Sequence, residues 1–369
     1  MRTSPVIFLV SHASQGGVQE LWSDLAQSFR AIGHDARQIA LYPMPGRPSV
    51  ASAAPWTYVV PARPTGLVSG VRLFLALARL FYRERPAMVF AAMPAANVIA
   101  PLAAAVLPRR RTHVSISHHS PVQTYNRLLN FLDNFTGILK STRTVICVAQ
   151  AVGMSLRAKP DAYRGKVRII PNALSPRVES ELARLYQARA QRLAPARRVV
   201  ALGRLSKEKN YPALLRCATL LRGIEIVIIG GGPEEQELKQ EAARLGVESH
   251  VRFLGMLERD AALTVLASAD VFVQPSIFEG HSLALIEAAK LGLPLVVSDA
   301  ASQIEAVSAD SVRCGIVIGV HDHVALAQKL QQLVDDEPFR EEWAAKAYSL
   351  GASATFENML EAYDELVCA

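Results

Sequence analysis

The sequence predicts an α/β protein built on two parallel sheets, and three observations carry that prediction. Strand-like apolar runs alternate with helical stretches through both halves of the chain. At 369 residues the chain exceeds what one core usually supports, and its 50% hydrophobic content fills two. Between the halves, Ser175 to Pro195 is a charged, Ala-rich helical connector. These divide the chain into a first domain over residues 1–175, a linker helix over 176–195, a second domain over 196–350 and a C-terminal segment over 351–369.

The first half begins with a buried strand at Val6–Val10, in an apolar stretch too short for a signal peptide. Further strands are expected at Met88–Met93, His113–Ser117 and Thr144–Val148. The second half repeats the rhythm at Val199–Leu202, Ile224–Ile229, Val251–Leu254, Val271–Gln274 and Leu295–Ser298, and Thr355–Val367 reads as a final helix. Residues Pro86 to Pro108 carry no charge and precede three arginines, which raises a membrane span. Pro94, Asn97 and Pro101 interrupt that run, and it reads better as strand, turn and helix. Tyr42 to Pro64 is Pro-rich and irregular, either an acceptor flap or an insertion without fixed structure.

Charge divides unevenly. Residues 1–175 carry 20 Lys and Arg against 6 Asp and Glu, and the remainder carries 20 against 27. An acidic partner is therefore expected for the first domain alone. The cations are scattered among strands without a nucleic-acid motif, so an anionic membrane surface or a lipid-phosphate acceptor fits better than nucleic acid. Gly66 to Arg85, with Leu73, Phe74, Leu77, Leu80 and Phe81 near Arg72, Arg79, Arg83 and Arg85, is a candidate interfacial helix. A core-facing amphipathic helix is the competing reading. The four cysteines form no C-x-x-C pair, which suggests neither a zinc site nor a disulfide framework and suits a reducing cytoplasm.

The chemistry concentrates in the second half. Phe278 to Asp299 places Glu279 in a loop and Glu287 in the helix that follows. Gly280, His281, Ser282 and Leu283 bring backbone N–H groups to the start of that helix, where a phosphate can be held. Were the whole interval helical, the two carboxylates would lie about 12 Å apart along the axis and could grip different parts of one ligand. An ordinary capped helix is the bland alternative. Val199 to Asn210 runs from a buried strand through Gly203 to Arg204 and Lys209, cations placed for an anion beyond a parallel strand. In the first half, Ser14 to Leu21 puts Gly16 and Gly17 at a strand-to-helix turn without a G-x-G-x-x-G pattern, which argues against a nicotinamide dehydrogenase. Val114 to Pro121 ends a strand with His118 and His119, which alternation sends to opposite sides.

Together G-R-L-S-K-E-K-N, I-I-G-G-G-P, V-R-F-L-G, V-F-V-Q-P-S and the glutamate pair resemble, in order, the retaining GT-B glycosyltransferases of family 4. The resemblance implies two Rossmann-like domains facing across a cleft, with the last helix crossing back to the first domain. It implies a donor nucleoside-diphosphate sugar and a glycan or lipid-linked acceptor. Arg204 and Lys209 would stabilise the departing diphosphate, Glu279 would hold the sugar hydroxyls, Glu287 the ribose hydroxyls, and His119, favoured over His118, would orient the sugar. Gly16, Gly17, Gly203, Gly280, His281, Ser282, Leu283 and Met256 would complete the donor site. No D-x-D pattern appears, so no metal or other cofactor is expected. The chain departs from the family at Ala173, in I-I-P-N-A-L where glycine is usual, and at Ser282, in E-G-H-S where many members have E-G-F-G. The expected protein is a cytoplasmic hexosyltransferase, peripheral on the inner face of the cytoplasmic membrane. A GT-B epimerase or hydrolase, and a catalytically silent sugar-nucleotide-binding module, are the alternatives.

Overall fold

The apolar runs form strands because parallel strands are covered by helices on both faces and can be continuously hydrophobic. The computed structural model describes residues 4–14, 16–44, 55–107, 112–192, 194–309, 312–353 and 355–368. It divides the chain into two compact units, Met1–Ser175 with Phe356–Ala369, and Pro176–Thr355.

In the first unit the elements are β1 (Val6–Val10), α1 (Gly17–Ala31), β2 (Ala36–Ala40), β3 (Thr57–Tyr58), α2 (Leu67–Glu84), β4 (Met88–Ala92), α3 (Pro94–Ala105), β5 (His113–His118), α4 (Arg127–Ile138), β6 (Thr142–Cys147), α5 (Gln150–Met154), α6 (Asp161–Arg164) and β7 (Val167–Ile169). The strands form one sheet in the order β3-β2-β1-β4-β5-β6-β7, parallel throughout. Order reverses between β1 and β4, where connections leave in opposite directions and open a crevice beyond the strand ends.

The uncharged stretch from Pro86 becomes β4 and the twelve-residue α3, with Pro94 at the start of the helix. Among the described residues no helix is long and apolar enough to cross a membrane. Part of the Pro-rich segment, residues 45–54 of the expected flap, lies outside the described residues, and the remainder contributes edge strand β3. On α2 the stripe Leu73, Leu77 and Phe81 is buried in the core, so these residues do not form the interfacial face that the sequence offered. A different stripe, including Leu67, Val68, Val71, Leu75 and Tyr82, is exposed.

The second unit contains α7 (Pro176–Ala190), β8 (Arg198–Leu202), α8 (Tyr211–Ala218), β9 (Glu225–Ile229), α9 (Glu235–Arg244), β10 (Val251–Phe253), α10 (Arg259–Ala267), β11 (Val271–Gln274), α11 (Leu283–Lys290), β12 (Leu295–Ser298), α12 (Ala301–Ala306), β13 (Ser308–Ala309), β14 (Val312–Arg313), β15 (Ile316–Ile318), α13 (His323–Asp335) and α14 (Glu337–Ser353). Six strands make a parallel sheet in the order β10-β9-β8-β11-β12-β15, which reverses between β8 and β11. The connector helix α7 is part of this unit and is tied to α11 by Lys290 Nζ and Glu179 Oε1 at 2.8 Å.

The last helix, α15 (Phe356–Cys368), belongs to the first unit. Tyr363 packs edge-on against Trp22 and Phe90, with ring centroids at 5.9 and 5.2 Å. Asp364 Oδ1 meets His34 Nε2 at 2.7 Å. The four cysteines are free thiols, and Cys147, Cys217 and Cys314 are buried.

Candidate functional site

The switch point of the second sheet carries a polar cluster in its strand-end loops. β8 delivers Gly203, Arg204 and Lys209, and β11 delivers Gln274, Ser276 and Glu279. Lys209 Nζ donates to Glu279 Oε1 at 2.6 Å, Gln274 Nε2 to the same oxygen at 2.6 Å, and Ser276 Oγ at 2.7 Å. The backbone N–H of Glu279 donates to Ser302 Oγ at 3.2 Å. Three donors converging on one carboxylate oxygen fix the orientation of the Glu279 side chain.

Glycines let these loops close. A Cβ on Gly203 would meet Lys209 Cε at 2.9 Å, so the lysine stem crosses the glycine. Gly230, at φ 137°, would place a Cβ 2.0 Å from the Gly203 carbonyl oxygen, and one on Gly232 would lie 2.2 Å from that of Leu205. The glycine triplet is thus the surface on which the cation loop rests. Asn210 follows Lys209 in the left-handed region at φ 54°, which Asn tolerates, and its amide donates to the carbonyls of Pro275 and Val320 at 3.0 Å each. Arg204 is exposed at the edge of this cluster, and no hydrogen bond or ion pair among the described residues engages its guanidinium.

Glu287 is placed differently. α11 begins only at Leu283, so the interval from Glu279 is half loop, and the helix-rise spacing expected from sequence does not apply. Glu287 is buried on α11 and accepts from Arg259 Nη2 at 2.7 Å. That partner stands on α10, away from the loops after β8 and β11 that carry Lys209 and Glu279. Ser282, the departure from the family's glycine, is the N-cap of α11, its Oγ accepting from Leu285 N at 3.4 Å. Gly280 is buried, His281 half-buried, and Leu283 opens the helix. Met256 follows Gly255, which lies at φ 66°, and is 54% exposed beside Gly231.

In the first unit the two histidines separate as strand alternation requires. His118 is fully buried, with Nε2 at 2.7 Å from Tyr163 Oη and Nδ1 at 3.2 Å from Tyr125 Oη. His119 lies on the other side, half-buried, 2.9 Å from Ser117 Oγ and edge-on to Trp22. Burial pushes the pKa of His118 down to about 4. Burial and the neighbouring His118 push that of His119 down to about 3. Both imidazoles are neutral at pH 7. Gly16 is the N-cap of α1 and Gly17 its first residue.

Sequence reasoning missed several groups. Gln274 and Ser276 lie within a motif it quoted, and their alternation in V-F-V-Q-P-S puts both on one side of the strand end. Arg259 left one signal: an acidic residue on the otherwise apolar face of α11 needs a buried cation. At the switch point of the first sheet, His12 Nδ1 and Ser14 Oγ share a hydrogen bond of 2.6 Å, and the Gln19 amide donates to the His12 carbonyl at 3.1 Å. Met93, at the end of β4, has φ 77°, a strained backbone for a residue with a side chain, and nothing in the sequence signals it. Among the described residues no group of three or more His, Cys, Asp or Glu could hold a metal.

A family model for glycosyl transferases group 1 matches residues 188–350, and one for Glycosyltransferase Family 4 matches residues 15–178. The chain belongs to the GT-B glycosyltransferases of family 4. It is a transferase enzyme. It is 25% identical over 300 residues to the lipopolysaccharide core biosynthesis glycosyltransferase LpsE of Rhizobium meliloti, across 81% of each chain. It is 26% identical over 227 residues to LpsD of the same organism, across 62% of this chain and 63% of that one. The fold of Anabaena Alr3699/HepE, solved with UDP and glucose, superposes with a TM-score of 0.78 at 17% identity over 99% of both chains. Sucrose-phosphate synthase from Thermosynechococcus elongatus superposes with a TM-score of 0.80 at 15% identity over 98% of both. This family 4 chain therefore has the GT-B fold of two parallel-sheet domains.

Proposed function

We propose that this enzyme is a retaining glycosyltransferase that moves a sugar from a nucleoside-diphosphate sugar, UDP-linked by preference over GDP-linked, to a lipid-linked or cell-envelope glycan. The observation that carries the reading is the cluster of Lys209, Glu279 and unengaged Arg204 at the switch point of the second sheet. The solved relatives with UDP and UDP-glucose support a UDP-sugar donor, and the two lipopolysaccharide core enzymes support an envelope acceptor.

In this mechanism the bond from the sugar's anomeric carbon to the diphosphate oxygen breaks as the bond to the acceptor oxygen forms on the same face. The acceptor's proton passes to a donor phosphate oxygen, so no dedicated protein base is needed. Negative charge grows on the diphosphate, and Lys209 and Arg204 stabilise it more in the transition state than in the ground state. Those cations do the work without a metal. Glu279 takes sugar hydroxyls through Oε2, since the bonds that hold it fall on Oε1. Glu287 takes the ribose hydroxyls, Met256 borders the base, and Gly280 to Leu283 present N–H groups to phosphate. An acceptor carried in lipid requires the enzyme to work at the inner face of the cytoplasmic membrane.

The test is release of UDP from UDP-sugars with and without a lipid-linked glycan fraction from envelope membranes. Release that requires the fraction, with label appearing in it, supports transfer. Release or epimerisation without acceptor would replace transfer by the hydrolase or epimerase reading, and binding without turnover would support the silent module.

A further inference from the structure

Helix α4 is inverted relative to an ordinary covering helix. Its buried positions are Asp133, Thr136 and Gly137, while Leu128, Phe131, Phe135 and Ile138 are exposed. Those four lie at i, i+3, i+7 and i+10 and form one stripe. Phe131 and Phe135 touch edge to face with centroids 5.0 Å apart.

The polar side is locked inward. Lys159 Nζ donates to Asp133 Oδ2 and to Asn130 Oδ1, both at 2.7 Å, and Tyr163 Oη donates to Asp133 Oδ2 at 2.8 Å. The Tyr163 ring lies so close to Gly137 that a Cβ there would be 2.0 Å from it. Rotating α4 to bury its phenyl rings would break a buried ion pair, so the apolar stripe stays in solvent.

A second stripe lies on the same side of the sheet. α2, α3 and α4 connect β3 to β4, β4 to β5 and β5 to β6, and successive right-handed crossovers in one direction cover one face. α3 packs against both neighbours. On α2 the exposed Val68, Val71, Leu75 and Tyr82 alternate with exposed Arg72, Arg79 and Arg83. The carboxylates of α2 and α4 are withdrawn from this face: Glu84 binds Arg37 at 2.7 Å, and Asp133 is buried.

We propose that the exposed stripes of α2 and α4 together form a docking face for an anionic lipid surface. Interleaved apolar and arginine side chains with no free carboxylate are what an interfacial helix needs, since the rings enter the acyl boundary while the guanidiniums meet lipid phosphates. The proposal rests on the membrane placement in the proposed function and names the surface that would make it. It is tested without donor or acceptor, so its failure and the failure of the transferase reading are separate events.

The experiment is flotation of the full chain with vesicles of phosphatidylglycerol and phosphatidylcholine in equal parts, against phosphatidylcholine alone. Expected is partition onto the anionic vesicles that weakens with salt. Phe131→Ser with Phe135→Ser should lower it about tenfold or more, and Arg72→Gln with Arg79→Gln about tenfold. All four positions are exposed, and unchanged melting by circular dichroism shows that each variant is folded. Absence of wild-type partition, or equal partition by the folded phenylalanine variant, overturns the proposal. So does a wild-type dimer without vesicle binding that the phenylalanine changes dissociate, since a second copy would then cover the face.

Discussion

Lys209 Nζ lies 2.6 Å from Glu279 Oε1, joining the loop after β8 to the loop after β11. The pair fixes a cation and a carboxylate on the two strands that flank the sheet's reversal. Lys209→Ala and Glu279→Gln should each lower kcat about 100- to 1,000-fold, the range for loss of one preorganised charge-stabilising donor. Gln274 and Ser276 still hold residue 279 in the lysine variant. Steady-state turnover and thermal melting measured together check this, and full activity in either folded variant would remove that residue from the mechanism.

Gly230→Ala and Gly232→Ala should each destabilise the enzyme by about 1–3 kcal/mol, because the new methyl meets backbone rather than a movable side chain. Displacement of the Gly203 loop should also weaken nucleotide binding. Chemical denaturation and titration with UDP provide the two readouts, and a variant of wild-type stability would show that the loops do not need to touch.

Glu287→Ala should raise the Kd for the nucleotide about tenfold or more, the cost of losing a charged hydrogen bond to ribose. It also removes the carboxylate that accepts from Arg259 Nη2. Arg259→Ala combined with Glu287→Ala in a double-mutant cycle separates the two effects. If Glu287 serves structure alone, stability will fall while the Kd of the folded variant stays unchanged.

Acid should destabilise the fold before the carboxylates titrate. The folded-state pKa of His118 is depressed to about 4, below the ordinary 6.5, so from neutral pH down to that value the unfolded chain binds more protons than the native one. Stability is therefore full above the unfolded pKa and declines as pH falls towards 4, by about 2 kcal/mol from this group between pH 7 and 5. A flatter dependence in His118→Gln, measured by denaturation at both pH values, is expected; an unchanged slope would contradict it.

Strands Val6–Val10, Val271–Gln274 and Leu295–Ser298 were legible to the residue because they are buried on both faces and nearly all apolar. Ala36–Ala40 was not, since Arg37 and Gln38 interrupt it and Arg37 is held by Asp35 and Glu84. The three-residue β7, β10 and β15 and the two-residue β3, β13 and β14 sit near the limit at which any pattern exists, and of these only β10 was anticipated. In the site, Lys209 and Glu279 stood out through short motifs. The partners that orient them, and Arg259 on Glu287, depend on which loops the sheet order brings together. The outward stripe of α4 was hidden for the opposite reason: apolar periodicity marks a face, and burial of Asp133 with Lys159 decides which way it points.

The central claim is a nucleotide-sugar site built by the Lys209–Glu279 cluster without metal. It is tested most directly by thermal melting with UDP-, GDP- and ADP-sugars, each with chelator and with Mg2+, on the wild type and Lys209→Ala. The account predicts that a UDP-sugar raises Tm in the presence of chelator and that the lysine variant loses most of the rise. No rise with any donor at saturating concentration, or a rise that requires Mg2+ and survives in Lys209→Ala, would contradict it.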